Sequence, residues 1–194
     1  MTPNILVFAG SARRDSLNKK LARAAAASVQ RAGGTATFID LDDFAMPLYH
    51  GDLETSAGMP AAATRLRELF LAHQGLAIVS PENNASVSAL LKNTIDWLSR
   101  GIGDGKGANS GLAPFSGKVA ALLAASPGAL GGIRGLPHLR QILGALDVTI
   151  LSAQVAVGRA HEAFEADGAL KEPHIRAVDT LMTRLVDVTQ RLQA

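Results

Sequence analysis

The sequence of 194 residues contains no cysteine, and aromatic residues make up only 4% of it. Without cysteine there is no disulfide framework, no thiolate zinc site and no catalytic thiol. One Trp, one Tyr and six Phe are too few for the stacking platforms of single-strand nucleic-acid binders or for an aromatic-rich β-sandwich. Nineteen Lys and Arg against 17 Asp and Glu leave a formal charge of +2, which argues against a nucleic-acid or membrane-surface binder.

Long apolar runs are also missing. None approaches the roughly 18 residues that a membrane-spanning helix needs. No basic segment followed by an apolar stretch of signal-peptide length opens the chain, so we expect no secretion signal and a cytoplasmic protein. The five histidines include no pair at i, i+4, and we expect no metal site. A hydrophobic fraction of 47% indicates a folded chain, and the length favours a single domain over residues 1–194.

Short apolar runs alternate with amphipathic helical patterns. The apolar runs are continuous rather than alternating in polarity, which is typical of parallel strands buried on both faces. We predict strands over residues 5–9, 35–40, 76–80, 119–125 and 148–157. Apolar residues at helical spacing predict a helix that begins near Leu17 and further helices over about 61–72, 89–99, 135–146 and 172–192.

Five strand–helix units in a row predict an α/β fold: an open, doubly wound parallel sheet with helices on both faces. In such sheets ligands bind beyond the carboxyl ends of the strands, at the point where the strand order reverses. The segments that follow the first, third and fourth strands therefore matter most for function. They are Gly10–Asn18, Ser80–Ser88 and Ser126–Arg134.

The first of these segments ends at a predicted helix start, with Ser16 as a candidate N-cap. A helix N-terminus offers free N–H groups and a positive dipole end, which suit a phosphate. Ser11 and Asn18 add donors, and Arg13 or Arg14 adds charge. The segment matches neither the dinucleotide fingerprint nor the P-loop. A capped helix with solvated arginines explains it about equally well, and only its place after the first strand favours phosphate.

The segment after the third strand carries Glu82, Asn83, Asn84 and two serines. Asn amides and exposed backbone N–H groups can bind the edge of a planar heterocycle. Taken alone, however, the segment is better explained as an ordinary strand-to-helix turn capped by Ser86 or Ser88.

Four motifs occur in a fixed order between Ile5 and about Gly158. They are Gly10-Ser11-x-Arg13-x-x-Ser16-x-Asn18, Pro81-Glu82-x-Asn84-x-Ser86, Leu91-Lys92-Asn93-x-Ile95-Asp96-Trp97 and Ser126-Pro127-Gly128-x-x-Gly131-Gly132-x-Arg134. Together they resemble the NADPH-dependent FMN reductase family, which includes quinone, azo-dye and chromate reductases. The resemblance implies a flavodoxin-like sheet in the order 2-1-3-4-5, bound FMN, and NADPH or NADH as electron donor.

The resemblance also implies which residues bind the cofactor. The FMN phosphate would be held by Ser11, Arg13, Ser16, the backbone N–H of Leu17, and Asn18. The ribityl chain and the ring edge would be lined by Pro81, Glu82, Asn83 and Asn84. From the segment after the fourth strand, Ser126, Gly128, Gly131 and Gly132 would approach the flavin. No catalytic side-chain acid or base is expected, because the redox chemistry belongs to the cofactor.

Two positions depart from the family pattern. Asn83 stands where the family usually has Tyr, and Ser88 where it often has Pro. The missing Tyr ring puts the acceptor preference in question more than FMN binding. The segment Met46–Glu54 resembles a family loop that reaches a neighbouring subunit's flavin site, so Tyr49 is either a rim residue or a side chain packed on its own domain. A homodimer or homotetramer is implied.

These observations predict a cytoplasmic NAD(P)H-dependent, FMN-containing oxidoreductase that reduces quinones, azo compounds, flavins or metal oxyanions by ping-pong hydride transfer. A non-enzymatic, flavodoxin-like electron carrier is the alternative, although such carriers are usually acidic and clamp the ring between aromatics. A phosphate-binding protein without flavin is a further alternative. The glycine-rich loop over residues 101–117 is interpreted as mobile or as a subunit contact.

Overall fold

Seven strands occur in this computed structural model, which describes residues 2–193. They are β1 (Asn4–Ala9), β2 (Thr35–Asp40), β3 (Gly75–Val79), β4 (Glu82–Asn83), β5 (Ser86–Val87), β6 (Val119–Ala125) and β7 (Thr149–Val157). Five of them form one parallel sheet in the order β2-β1-β3-β6-β7. The predicted order 2-1-3-4-5 is therefore confirmed, with β6 and β7 as the fourth and fifth strands of the sheet.

Six α-helices occur within residues 2–193. They are α1 (Leu17–Arg31), α2 (Gly51–Ala57), α3 (Ala61–Ala72), α4 (Ala89–Leu98), α5 (Gly135–Gly144) and α6 (His174–Leu192). Five were predicted within a few residues, whereas α2 was not, because its seven residues carry no buried apolar face. Among residues 2–193, no helix is long and apolar enough to cross a membrane.

The alternation of side chains along β1 divides the core into two layers. Ile5 and Val7 pack on the face that α1 and α6 cover, while Leu6 and Phe8 point to the face that α3, α4 and α5 cover. All four side chains are almost completely buried. This explains why the strand is apolar throughout rather than at every second position.

A small antiparallel hairpin, formed by β4 and β5, replaces the simple turn considered after the third strand. Its two-residue loop is Asn84-Ala85, with φ angles of 51° and 62°. Two consecutive left-handed residues are typical of a type I′ hairpin turn, in which Asn and Gly are the usual residues. The hairpin is hard to recognise from the sequence because an alanine stands at the second position of the turn.

The glycine-rich loop over residues 101–117 is anchored by Arg67 of α3, which is 2% exposed. The Arg67 guanidinium donates to the carbonyl oxygens of Leu98, Arg100, Ala108 and Ser110. Because the first two carbonyls belong to the C-terminal end of α4, the cation also lies at the negative end of that helix. This anchoring argues against the interpretation of the loop as mobile.

Candidate functional site

A cavity of about 260 Å³ lies at the carboxyl end of the sheet, where the segments after β1, β3 and β6 meet. Its lining consists of Ser11, Arg13, Ser16, Leu17, Asn18, Pro81, Glu82, Asn83, Ala125, Ser126 and Pro127. The position agrees with the general rule for open α/β sheets. A larger cleft between α1 and α6 lies away from the strand ends, whereas a second one adjoins the cavity at Asn83.

The N-terminus of α1 forms one end of the cavity. Ser16 is the N-cap, and its hydroxyl accepts a hydrogen bond of 3.3 Å from the backbone N–H of Lys19. Leu17 and Asn18 head the helix, so their N–H groups have no acceptor within it. The exposed Arg13 side chain lies beside these groups. Free N–H groups, a positive helix end and a guanidinium make this end of the cavity a candidate anion site.

Asn18 joins this anion site to the end of β6. Its side-chain Nδ2 donates to the Ala125 carbonyl, and its Oδ1 accepts from the Ala125 N–H, both at 2.9 Å. The side chain is 6% exposed. This pair of bonds fixes the distance between the β1 and β6 segments. Asn18 thus lines the cavity and at the same time holds its two sides together.

Glu82, at the start of the hairpin, is clamped by Arg134. The guanidinium Nε donates to Glu82 Oε1 at 2.8 Å, and the Arg134 backbone N–H donates to Oε2 at 2.9 Å. The hydrogen bonds from the Arg134 side chain are the main reason that the pKa of Glu82 lies below its usual range. The Glu82 carboxylate is therefore ionised and paired at neutral pH, and it ties the hairpin to the segment after β6.

Two glycines shape the segment after β6. Gly131 has a φ of +64°, and a Cβ there would lie 2.7 Å from the backbone nitrogen of Gly158. Gly132 has a φ of +85°, and a Cβ there would lie 3.0 Å from Cβ of Ala124. Side chains at these positions would push the segment off the ends of β6 and β7. The glycines therefore allow the segment to turn back over the sheet beside Glu82.

Nine of the predicted cofactor-binding residues line the cavity: Ser11, Arg13, Ser16, Leu17, Asn18, Pro81, Glu82, Asn83 and Ser126. Asn84, Gly128, Gly131 and Gly132 are outside the lining and lie in the turns that carry it. The sequence reasoning missed Ala125 and Pro127. Their position at the very end of an apolar strand is the signal that could have identified them.

The Leu91–Trp97 motif lies outside the cavity and positions a neighbouring loop. The Asn93 amide and the Trp97 indole N–H both donate to the carbonyl of Pro47, at 3.0 and 2.8 Å. Tyr49 packs edge-on against Trp97, with 5.1 Å between ring centroids. In this structure the Tyr49 side chain therefore packs on its own domain, which is one of the two interpretations of this residue. Leu48, between these anchors, is 79% exposed.

The donors of the cavity fit a phosphate-bearing ligand with a polar, planar end. The anion site has hydroxyl, N–H and guanidinium donors, and its charge is positive. The opposite wall, formed by Pro81, Asn83 and the paired Glu82, offers polar groups without a free charge. Within residues 2–193, no group of three or more His, Asp or Glu residues is placed to hold a metal ion.

Comparisons with known proteins identify the family to which the chain is similar. The family model described as NADPH-dependent FMN reductase matches residues 3–162. The NAD(P)H-dependent FMN reductase of Pseudomonas aeruginosa is 36% identical, over 98% of this chain and 91% of its own length. A quinone reductase of Escherichia coli K12 is 34% identical, over 79% and 76% of the two chains. The flavoenzyme NAD(P)H:(acceptor) oxidoreductase of Paracoccus denitrificans superposes with a TM-score of 0.81 at 27% identity, over 98% of each chain.

Proposed function

Because the chain belongs to the NADPH-dependent FMN reductase family, we propose that it is an NAD(P)H-dependent oxidoreductase that carries FMN in the cavity at the carboxyl end of the sheet. The observation that carries this proposal is the anion site at the N-terminus of α1. It lies at one end of the cavity, where the FMN phosphate would bind. The opposite wall is polar, and the charge of Glu82 is balanced by Arg134, which suits the uncharged flavin ring.

The chain's own residues bind and orient the cofactor. Ser11, Ser16 and Arg13, with the N–H groups of Leu17 and Asn18, would hold the phosphate. Pro81 and Asn83 would line the ribityl chain and the ring edge. The Glu82–Arg134 pair would keep the hairpin at a fixed distance from the segment after β6.

When bound, FMN supplies the redox chemistry, accepting a hydride from the nicotinamide nucleotide and passing electrons to the acceptor. The protein's contribution is orientation and exclusion of competing reactions, and we assign no side-chain acid or base to the reaction. Donor and acceptor would both exchange electrons with the same flavin ring, so we propose that they occupy one place beside it in turn. We therefore propose ping-pong kinetics.

Quinones are the acceptor class that we place first, because relatives at 34% identity are named quinone reductases. Azo compounds, free flavins and metal oxyanions complete the proposed acceptor range. A homodimer or homotetramer in the cytoplasm is also part of the proposal. Leu48, 79% exposed on a loop that Asn93 and Trp97 hold in place, supports a contact between copies. A monomer in light scattering at micromolar concentration would contradict it.

One experiment tests the central proposal. The purified protein is examined for flavin absorption in the near-ultraviolet and the blue, the released flavin is identified, and initial rates are measured with NADPH and a benzoquinone. We expect FMN, rapid bleaching of its spectrum by NADPH, and parallel double-reciprocal lines. FAD as the main flavin would contradict the cofactor assignment. Bleaching too slow to support turnover would favour the electron-carrier alternative, and intersecting lines would exclude ping-pong kinetics.

A further inference from the structure

Lys19 is a buried cation in an unfavourable place. It lies in the first turn of α1 and is only 3% exposed. A positive side chain near a helix N-terminus opposes the helix dipole, and burial removes the ammonium group from water. Neither effect favours lysine here, so its contacts have to supply the reason for its position.

Two oxygen atoms surround the Lys19 ammonium group. Its Nζ lies 2.6 Å from Oδ2 of Asp40, at the end of β2, and 3.3 Å from the carbonyl oxygen of Ala12. The second oxygen of Asp40 accepts a hydrogen bond of 3.0 Å from the backbone N–H of Asp42. Because both of its oxygens are engaged, the carboxylate is fixed, and it fixes the ammonium group in turn.

The hydrogen bond to Ala12 connects Lys19 with the loop that forms the anion site. In a trans peptide the C=O and the following N–H point in opposite directions. While the Ala12 carbonyl is held by Lys19, the Arg13 N–H on the other side of the same peptide donates to the hydroxyl of Ser11 at 3.3 Å. Lys19 itself is not part of the cavity lining, whereas Ser11 and Arg13 are.

We infer that Lys19 is a positioning residue for the cofactor phosphate. Its hydrogen bond to the Ala12 carbonyl fixes the Ala12–Arg13 peptide, and its ion pair with Asp40 holds the Lys19 side chain in place. The inference rests on the proposed function, since it takes the phosphate of FMN as the ligand of this loop. It predicts an effect on the phosphate end alone. The hairpin and the segment after β6, which would contact the ring, have no contact with Lys19 among the hydrogen bonds and ion pairs of residues 2–193.

The experiment compares FMN with riboflavin, which has the same ring and ribityl chain but no phosphate. Apo-protein is titrated with each flavin, and the dissociation constants are obtained from the quenching of flavin fluorescence. In Lys19→Met we expect FMN affinity to fall by about tenfold or more, because the Ala12–Arg13 peptide loses the hydrogen bond that fixes it, while riboflavin affinity stays the same. Lys20→Met is the matched control, since Lys20 is exposed and lies over the Phe164 ring instead; it should change neither.

FMN binding by the Asp40→Asn variant distinguishes a positioning role of Lys19 from an effect of its charge alone. If Lys19 acts by position, this variant should weaken FMN binding several-fold, because the ammonium group loses its fixed partner. If Lys19 acts only through its field, removal of a neighbouring negative charge should tighten FMN binding, and tighter or unchanged binding would overturn the inference. Circular dichroism checks the fold of each variant. Should Lys19→Met not fold, Asp40→Asn decides the question.

Two further outcomes keep this inference apart from the proposed function. Wild-type protein that binds FMN no better than riboflavin, or binds neither, would contradict the proposed function itself. Wild-type protein that prefers FMN, together with a Lys19→Met variant that keeps the full preference, would overturn only the role of Lys19. An equal loss for both flavins in that variant would show a general structural role and would also overturn it.

Discussion

Arg134 holds Glu82 with its backbone as well as its side chain. The Arg134 N–H bonds to one carboxylate oxygen and the guanidinium to the other, at 2.9 and 2.8 Å. The Glu82 side chain is 9% exposed and that of Arg134 59%. The pair therefore connects the hairpin with the segment after β6 at the mouth of the cavity, and one of its members is shielded from solvent.

Glu82→Gln should lower the free energy of unfolding at pH 7 by roughly 0.5–1 kcal/mol, a modest value because solvent screens the exposed partner. Since the pKa of folded Glu82 lies below its usual 4.5, this contribution is fully present above the unfolded pKa and is lost as the pH falls through the folded value. Urea unfolding of both proteins from pH 7 to pH 3 checks it. The difference in stability between wild type and Glu82→Gln should therefore disappear at low pH. Glu68→Gln, at an exposed position, is the control and should change the free energy of unfolding little at any pH.

Arg13 and Arg14 should differ although they are neighbours. Arg13 lines the cavity, whereas Arg14 is exposed and outside the lining. A charge-assisted contact to phosphate is worth roughly 1.5–3 kcal/mol, so Arg13→Ala should weaken FMN binding by about one to two orders of magnitude. Arg14→Ala should cost well under about 1 kcal/mol, and less at high salt. FMN titration of both apo-variants decides it, and equal losses would mean that only the general field attracts phosphate.

Asn83→Tyr should alter acceptor preference more than cofactor binding. Asn83 lines the cavity and also the neighbouring cleft beside Ser86 and His138, so a ring at this position would narrow the space available to an acceptor. We expect unchanged FMN affinity and changed ratios of kcat/KM between quinone and azo acceptors. A uniform loss for every acceptor that follows FMN occupancy would identify Asn83 as mainly a cofactor ligand.

Ala85→Gly should stabilise the protein. Ala85 has a φ of 62°, a left-handed conformation that costs a residue with a Cβ roughly 1–2 kcal/mol. Glycine relieves this strain but gains freedom in the unfolded chain, so a net gain of about 0.5–1 kcal/mol is expected. Ala89→Gly, at the exposed first residue of α4, should instead destabilise by up to about 1 kcal/mol. Thermal unfolding measures both, and a loss of stability in Ala85→Gly would contradict the strain argument.

Arg67→Lys should release the loop over residues 101–117. A single ammonium group cannot span the four carbonyls that the planar guanidinium reaches. We expect faster hydrogen exchange in this loop and a loss of about 2–3 kcal/mol in stability. Arg65→Lys is the control, because Arg65 is exposed on the same helix and its guanidinium lies over the Phe44 ring, 5.9 Å from the ring centroid. Unchanged exchange in the loop would show that other contacts hold it.

The sequence by itself determined the five strands of the parallel sheet, five of the six α-helices found within residues 2–193 and the edge of the sheet where the site lies. Continuous apolar runs can be recognised locally because each residue of a doubly covered strand is buried, and Ser16 signals the start of α1 by its own chemistry. The resemblance of four motifs supplied the strand order. Once parallel order is given, the carboxyl ends of β1, β3 and β6 must lie at one edge, so most of the cavity lining could be predicted.

Only the tertiary structure decided which of these polar residues are paired with each other. Asn18 bonds to Ala125 across 107 positions of sequence, and Glu82 to Arg134 across 52. Lys19 and Arg67 look like surface cations of amphipathic helices, yet both are buried against oxygen atoms contributed by other segments. The local sequence pattern indicates which apolar side chains are buried, but not which charged ones are. Which partner then satisfies a buried charge depends on the distances between segments, and folding alone sets those distances.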